Sequence, residues 1–69
     1  MSIVLNKYAV HVLFPEDPIR RIVHMDTVAP IRIGEKVRLT CSGNKHTYRV
    51  TDIIYEDNFI TDVYTEFVE

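Results

Sequence analysis

Apolar and polar residues alternate along much of this chain, most clearly between residues 34 and 65. An alternation with a period of two is typical of a strand that buries one of its faces. The pattern predicts three strands here, over residues 35–41, over residues 47–55 and after residue 59. The intervening turns are predicted at residues 42–45 and 56–59, where Gly, Asn and Asp tolerate left-handed backbone angles.

Two further strands are predicted in the first half of the chain. Residues 3–14 alternate, with Lys7, Ala9 and His11 on the polar face and an apolar face made of Val4, Tyr8, Val10, Val12 and Phe14. The segment PEDP at residues 15–18 then predicts a reversal, because two prolines cannot continue a hydrogen-bonded ladder. The second strand of this hairpin ends before Pro30.

Side-chain parity predicts how these strands pair, because a slip of one residue would exchange the buried and the exposed faces. In the first hairpin we expect Tyr8 opposite Met25, Lys7 opposite Asp26, Val12 opposite Arg21, His11 opposite Ile22 and Ala9 opposite His24. In the second we expect Cys41 opposite Tyr48 and Leu39 opposite Val50. In the last we expect Val50 opposite Thr65, Tyr48 opposite Phe67, Arg49 opposite Glu66 and Tyr55 opposite Ile60.

Composition supports an all-β class. Ile, Val and Thr make up 23 of the 69 residues, whereas Ala and Leu make up five. Residues branched at Cβ lose side-chain freedom in a helix and pack well on a pleated sheet. We therefore predict one domain over residues 1–69, a five-stranded antiparallel meander that closes as a small barrel and so removes its edges.

Two segments resemble a known class of fold. The segments PIRIGEKVRL at residues 30–39 and YRVTDI at residues 48–53 are similar to the Gly-acid-x-Val-x-Leu and Tyr-x-Val pattern of SH3-like barrels of the Tudor and KOW type. They also resemble small accessory proteins of phages and mobile elements. The resemblance covers about a third of the chain, implies a small barrel with a binding role, and transfers no site residue.

Charge is unevenly distributed along the chain. The net charge is −2, but residues 18–51 sum to +5 and residues 52–69 to −6. Lys36, Arg38 and Arg49 are expected on one outward face, with Lys45 in the turn above them, and these four residues define a nucleic-acid-binding stripe as one interpretation. The other interpretation is an ordinary solvated face on which neighbouring strands pair their charges, as Arg49 and Glu66 would.

Apolar residues are also predicted on a face that should meet solvent. In the proposed pairing the outward face of the last hairpin contains Ile53, Tyr55, Ile60 and Tyr64. A contiguous apolar patch is typical of an interface, and tyrosine suits such a surface. The alternative is that the first strand or the C-terminal residues Phe67 and Val68 fold over this cluster.

Catalytic and metal-binding patterns are not evident. Cys41 has core parity, so it is interpreted as a small core residue and not as a nucleophile activated by His46. Only Cys41 and His46 are close enough in the chain to begin a zinc site, which needs four ligands. Asp52 has inward parity, which a strand end or a bulge would explain. We therefore expect no enzyme activity, no metal, no cofactor and no small-molecule substrate.

The expected function is a non-enzymatic module that binds protein, as a homodimer or as an accessory or inhibitory protein docked on a larger partner. The predicted contact residues are Ile53, Tyr55, Ile60 and Tyr64. The alternative is a nucleic-acid-binding barrel that uses the basic stripe. With one cysteine, no leader pattern and no apolar run of membrane length, we expect a soluble cytoplasmic protein that does not bind membranes.

Overall fold

The computed structural model describes residues 4–17 and 19–68, and these ranges form five β-strands. The strands are β1 (Asn6–Val12), β2 (Arg21–Thr27), β3 (Lys36–Cys41), β4 (Asn44–Tyr55) and β5 (Thr61–Phe67). The all-β prediction is confirmed. Within the described residues no helix is long and apolar enough to cross a membrane.

The five strands form one curled sheet in the order β2-β1-β5-β4-β3. Strands β1 and β5 pair in parallel, whereas the other three pairs are antiparallel. The predicted antiparallel meander is therefore wrong, because β2 and β3 follow each other in the chain but lie at opposite edges. The sheet curls into a half-barrel, and its ladder does not close between β2 and β3 over the part of the chain that the structure describes.

The register of the first hairpin is confirmed at every predicted pair. Tyr8 lies opposite Met25 and Lys7 opposite Asp26, as the reversal at residues 15–18 required. The reversal is held by a hydrogen bond from the Asp17 amide to the Phe14 carbonyl at 3.1 Å. The side chain of Asp17 also accepts a hydrogen bond from Arg21 at 2.8 Å. Arg21, the polar residue opposite Val12, is therefore stabilised at the start of an edge strand.

The register of the second hairpin differs from the prediction. Cys41 lies opposite Asn44 and Leu39 opposite His46, so the predicted pairs of Cys41 with Tyr48 and of Leu39 with Val50 are wrong. The connection is a two-residue turn in which Ser42 (φ 51°) and Gly43 (φ 82°) both adopt left-handed angles. Such a turn matches the right-handed twist of the flanking strands, so it is favoured over the longer predicted loop.

The hydrophobic core lies on the concave face of the half-barrel. Its buried members come from four strands and the end of the first hairpin strand: Tyr8, Val10, Val12, Phe14, Leu39, Tyr48, Val50 and Val63. Tyr48 is central, with its ring edge-on to Phe14 and Phe67 at centroid distances of 5.9 Å and 5.8 Å. Cys41 packs against this core as predicted. Val4, expected on the buried face, is exposed.

The parallel pairing of β1 with β5 joins the two hairpins into one sheet. Val10 lies beside Val63, and both side chains are fully buried. On the same junction the hydroxyl of Thr65 donates a hydrogen bond to the carbonyl of His11 at 2.8 Å. The N-terminal and C-terminal hairpins therefore depend on each other for the burial of their apolar faces.

The connection between β2 and β3 passes from one edge of the sheet to the other. The amide of Ile31 donates a hydrogen bond to the hydroxyl of Tyr8 at 2.9 Å, and Ile31 packs against the core. Gly34 (φ 93°) then turns the chain beside β4, where its amide donates to the carbonyl of Val50 at 2.9 Å. Ile31 thus contacts the core on the concave face, and Gly34 contacts the edge of β4, before β3 begins.

The buried contact between β1 and β5 makes a stability prediction. Val63→Ala should lower the free energy of unfolding by about 2 kcal/mol, because two buried methyl groups are lost and a cavity is left. Val28→Ala, at an exposed position, should change it by less than about 0.5 kcal/mol. Urea unfolding followed by circular dichroism measures both. Equal effects of the two substitutions would show that this junction does not stabilise the fold.

Candidate interaction surface

A β-bulge at Thr51 divides strand β4 into two halves that pair differently with β5. Tyr48, Arg49 and Val50 lie opposite Phe67, Glu66 and Thr65, as predicted, but the register shifts between Val50 and Asp52. The hydroxyl of Thr51 donates a hydrogen bond to the carbonyl of Tyr64 at 3.2 Å. A bulge adds one residue to one strand, so it exchanges the faces of every residue beyond it.

The bulge explains the unusual parity of Asp52. The sequence placed this carboxylate on the inward face, whereas the structure exposes it on the convex face opposite Tyr64. Its side chain accepts a hydrogen bond from the amide of Ile53 at 2.9 Å. Asp52 is therefore a solvated residue at a strand irregularity.

The bulge also separates the four residues predicted to form one apolar patch. Ile53 lies opposite Val63 and packs against the core, while Tyr64 remains on the convex face, where it stacks on His11 with ring centroids 4.4 Å apart. Tyr55 lies opposite Thr61, so its predicted pairing with Ile60 is wrong. Ile60 is half-buried and lies just before β5.

A different group of exposed apolar residues lies at the tip of the β4–β5 hairpin. We call residues 51–62 the distal hairpin. Tyr55 is 81% exposed and Phe59 is 91% exposed, and Ile54 on the convex face is also exposed. Sequence parity missed Phe59 because it lies in a turn and not in a strand.

The conformation of Phe59 is also unusual. Its φ of 67° lies in the left-handed region, which Gly, Asn and Asp adopt far more readily than a bulky residue. The preceding Asn58 accepts a hydrogen bond from the amide of Ile60 at 3.1 Å, so the turn chemistry predicted for residues 56–59 is present. The left-handed position, however, is occupied by an aromatic residue. In the sequence, the one feature that could have indicated the exposed Phe59 is the position of an aromatic residue within an acidic turn.

The distal hairpin has an unpaired strand edge. Strand β3 pairs with β4 only as far as Arg49, and the loop residues Gly34 and Glu35 bond to Val50. Beyond that point, no described residue pairs with residues 51–55 on the side of β3. In a strand, every second residue directs its N–H and C=O groups to the same side. We call this stretch the open β4 edge.

Carboxylates cluster on the convex face of the distal hairpin. Asp62 lies opposite Ile54, and its carboxylate also lies 3.3 Å from Nε2 of His11. The Asp62 carboxylate raises the pKa of Glu56 above its usual value of 4.5, mainly through a side-chain hydrogen bond and then through like-charge repulsion. Two neighbouring acids that repel each other make this end of the molecule favourable for a cationic group.

The four predicted basic residues share the convex face of the β3–β4 hairpin. Lys36 lies opposite Arg49, while Arg38 and Lys45 lie opposite threonines further along the hairpin. All four are exposed. Arg49 lies 3.6 Å from Glu66, which confirms one predicted cross-strand charge pair. Within the described ranges, no ion pair involves Lys36, Arg38 or Lys45, so this hairpin is positively charged.

The histidines and the cysteine do not converge on a common site. His46 faces the side of Glu16, with Nε2 and the carboxylate 2.9 Å apart, and the hydrogen bond to His46 lowers the pKa of Glu16 below 4.5. The residues that the structure describes contain no group of three metal-binding side chains. A shallow pocket of about 360 Å³ lies near Glu16, between Phe14 and Phe67.

One polar atom in the core has no hydrogen-bond partner. The Tyr48 hydroxyl is buried and unpaired among the described residues, and burial raises the pKa of this phenol above 10.0. Tyr48 does not line the nearby pocket. The hydroxyl is therefore a local cost of packing a large ring at the centre of the core.

Comparisons with protein-family models, with curated proteins and with solved structures find no match to this chain.

The carboxylates of Glu56 and Asp62 predict how the stability of the fold depends on pH. The pKa of Glu56 is higher in the folded chain than its usual value of 4.5. The repulsion between Glu56 and Asp62 is therefore absent below pH 4.5, where Glu56 is protonated, and it grows as the pH rises through the folded-state pKa. Glu56→Gln should therefore raise the melting temperature at about pH 7 and leave it nearly unchanged at about pH 4.

The matched control is Asp26→Asn, which removes an exposed carboxylate from β2 at the other side of the sheet. Thermal unfolding of both variants across pH measures the difference. A gain from Glu56→Gln that persists at low pH would contradict the assigned repulsion between Glu56 and Asp62.

Proposed function

We propose that this protein is a non-enzymatic protein-interaction module that binds a second copy of itself or a larger protein through the distal hairpin. The supporting observation is the exposure of two aromatic rings at its tip, 81% for Tyr55 and 91% for Phe59. Aromatic residues are enriched at protein interfaces because they bury a large area at a small entropic cost. Binding through this surface would assemble a complex or occlude a partner.

The backbone of Phe59 supports the same proposal. A left-handed conformation costs an L-residue with a bulky side chain about 1–2 kcal/mol, which Gly or Asn would largely avoid. In the folded monomer the Phe59 ring is almost wholly in water, so burial does not offset this cost. Strain of this kind at an exposed residue is typical of a functional position.

The proposed contact surface differs from the group that the sequence predicted. Tyr55 and Ile60 remain candidates, with Phe59 and Ile54 added beside them. Ile53 contributes through its backbone at the open β4 edge and not through an exposed side chain. Tyr64, stacked on His11, lies on the convex face next to this surface and is not one of its exposed contacts.

The direct test is photo-crosslinking from the position of Phe59 in cells that express the protein. A photoreactive phenylalanine analogue at residue 59 should crosslink to protein, and the same analogue at exposed Val28 is the control. Products of discrete mass that residue 59 forms and residue 28 does not would support the proposal. Identical patterns from the two positions would contradict it.

The strain at Phe59 predicts that stability and binding can be separated. Phe59→Asn should raise the free energy of unfolding by about 1 kcal/mol, because Asn tolerates the left-handed angle, and should remove the crosslinkable contact. Ser42→Asn is the matched control, since Ser42 also has a positive φ of 51° but lies at the opposite end of β4. It should stabilise the fold without affecting binding.

Urea unfolding measures the stability of both variants. Binding is read from the partner complex that wild type forms, by light scattering on a sizing column. Loss of that complex in Ser42→Asn as well, or its retention in Phe59→Asn, would show that the tip of the distal hairpin is not the contact surface.

A second candidate function is nucleic-acid binding by the basic stripe of Lys36, Arg38, Lys45 and Arg49. The observation that favours it is that Lys36, Arg38 and Lys45 are exposed on one face, and among the described residues no anion is paired with them. Phosphates of a nucleic-acid backbone would supply that anion.

This second candidate predicts a strong salt effect. Replacement of Lys36, Arg38 and Arg49 by Ser should strongly weaken binding to a fluorescent single-stranded oligothymidylate and reduce the slope of log K against log salt by about 2–3. A triple control that replaces exposed Lys7, Arg20 and Arg32 changes net charge equally. Fluorescence anisotropy at several salt concentrations measures both. Equal losses in the two triple variants would indicate a general charge effect and not a site.

We also infer that the chain is an SH3-like small barrel in character, since the segments that resemble that class lie on β3, in the loop before it and in the middle of β4. Cross-strand amide contacts between β2 and β3, measured by NMR, would test this assignment, because a closed barrel requires them.

A further inference from the structure

On one edge of the sheet, β3 covers only the first half of β4 and leaves the second half uncovered. We call this uneven edge the step. Strand β3 lies beside the first half of β4, where Lys36–Cys41 pair with residues 44–49. Beside residues 51–55 that position is empty over the part of the chain that the structure describes. The opposite edge of β3 is likewise without a partner strand in the described ranges. The step therefore has a protruding half and a recessed half, each with unpaired backbone groups.

The two halves of the step match each other in length. Strand β3 has six residues and spans about 20 Å, while the open β4 edge has five residues and spans about 17 Å. A two-fold rotation about an axis perpendicular to the sheet brings the protruding half of one molecule against the recessed half of another. In that arrangement each β3 fills the recess of the other molecule.

The two halves also match in charge and in apolar character. The convex side of β3 contains Lys36 and Arg38, and the convex side of the open β4 edge contains Asp52, with exposed Glu56 directly after the strand. A perpendicular two-fold axis keeps convex faces together, so basic groups of one copy meet acidic groups of the other. Opposite charges on neighbouring strands stabilise their pairing.

The concave sides of the same strands are apolar. Val37 and Leu39 lie on this side of β3, and Ile53 and Tyr55 lie on this side of β4. Three of these four pack in or against the core, whereas Tyr55 is exposed in the single chain. A strand added at the open β4 edge would bring apolar side chains towards Tyr55.

We propose that the chain forms a two-fold dimer in which β3 of each copy adds to the open β4 edge of the other, an inference that rests on the interaction-module function proposed above. Each β3 then pairs antiparallel with its own β4 and parallel with the β4 of the second copy. The occupant of the recess is thus a second copy of this chain, and basic β3 and the acidic open β4 edge are the two complementary parts of one interface.

Charge reversal in two variants tests this geometry. The first variant reverses the basic side with Lys36→Glu and Arg38→Glu, and the second reverses the acidic side with Asp52→Lys and Glu56→Lys. All four residues are exposed, so both variants should keep the wild-type circular dichroism spectrum. Mass is measured by sedimentation equilibrium for each variant alone, for an equimolar mixture and for wild type.

Wild type should sediment as a dimer, and its dissociation constant should rise about tenfold or more between low and high salt, because exposed charge pairs are screened. Each variant alone should be a monomer, since like charges then face each other at both contacts. The equimolar mixture should form a one-to-one heterodimer, because each contact then joins a negative strand to a positive one. Recovery in the mixture excludes misfolding as the cause of the monomers.

Three outcomes would overturn the dimer: a monomeric wild type at millimolar concentration, variants that keep the wild-type mass, or folded variants whose mixture stays monomeric. An extended segment of another protein would then be the occupant of the open β4 edge. These outcomes leave crosslinking from residue 59 unaffected, so failure of the dimer and failure of the interaction-module proposal can be distinguished. Arg20→Glu, at an exposed residue that has no ion pair among the described residues, is the charge-reversal control and should leave the mass of the wild-type assembly unchanged.

Discussion

The parallel contact between β1 and β5 is the interaction on which the rest of this fold depends. The β1–β2 hairpin and the three-stranded β3–β4–β5 unit each expose an apolar face alone, and a two-stranded hairpin is at best marginally stable in water. The contact of Val10 with Val63 places both hairpins in one sheet, so that Tyr48, from the C-terminal half, packs edge-on against Phe14 from the N-terminal half. A chain of 69 residues has little other apolar area to bury, so this junction makes the core continuous.

The bulge at Thr51 has the largest effect on the surface. Before it, β4 has the face pattern that its alternation indicates, and beyond it the pattern is reversed. Ile53 turns towards the core, and Asp52 turns into solvent. The same point marks the end of β3 pairing, so the irregular half of β4 is also the half with an unpaired edge. Bulges that bend or twist a strand are a common way to re-aim side chains at functional positions.

The basic and acidic residues that are separated along the chain are also separated in space in the folded sheet. The basic segment forms one end of β4 with β3, and the acidic segment forms the other end, in a molecule whose long axis measures 40 Å. Charges of opposite sign at the two ends of an elongated sheet are too far apart to stabilise one molecule strongly. They attract a second molecule that lies in the antiparallel orientation. Lys36 and Arg38, which have no ion pair among the described residues, and exposed Asp52 at the other end of β4 are consistent with contacts made outside the monomer.

The sequence alone determined the all-β class, the location of the strands and the register of the first hairpin, because these follow from local side-chain properties and alternation. It also placed Lys36, Arg38 and Arg49 on one outward face, whereas Lys45, expected in the turn, lies in β4. Only the tertiary structure decided the parallel contact of β1 with β5, the separation of β2 from β3 and the bulge at Thr51. Those features depend on contacts between residues distant in the chain, such as Thr65 with His11, and alternation within a strand holds no information about which distant strand lies beside it. The exposed Phe59 was missed for a related reason, since its position depends on a turn conformation that its residue type disfavours.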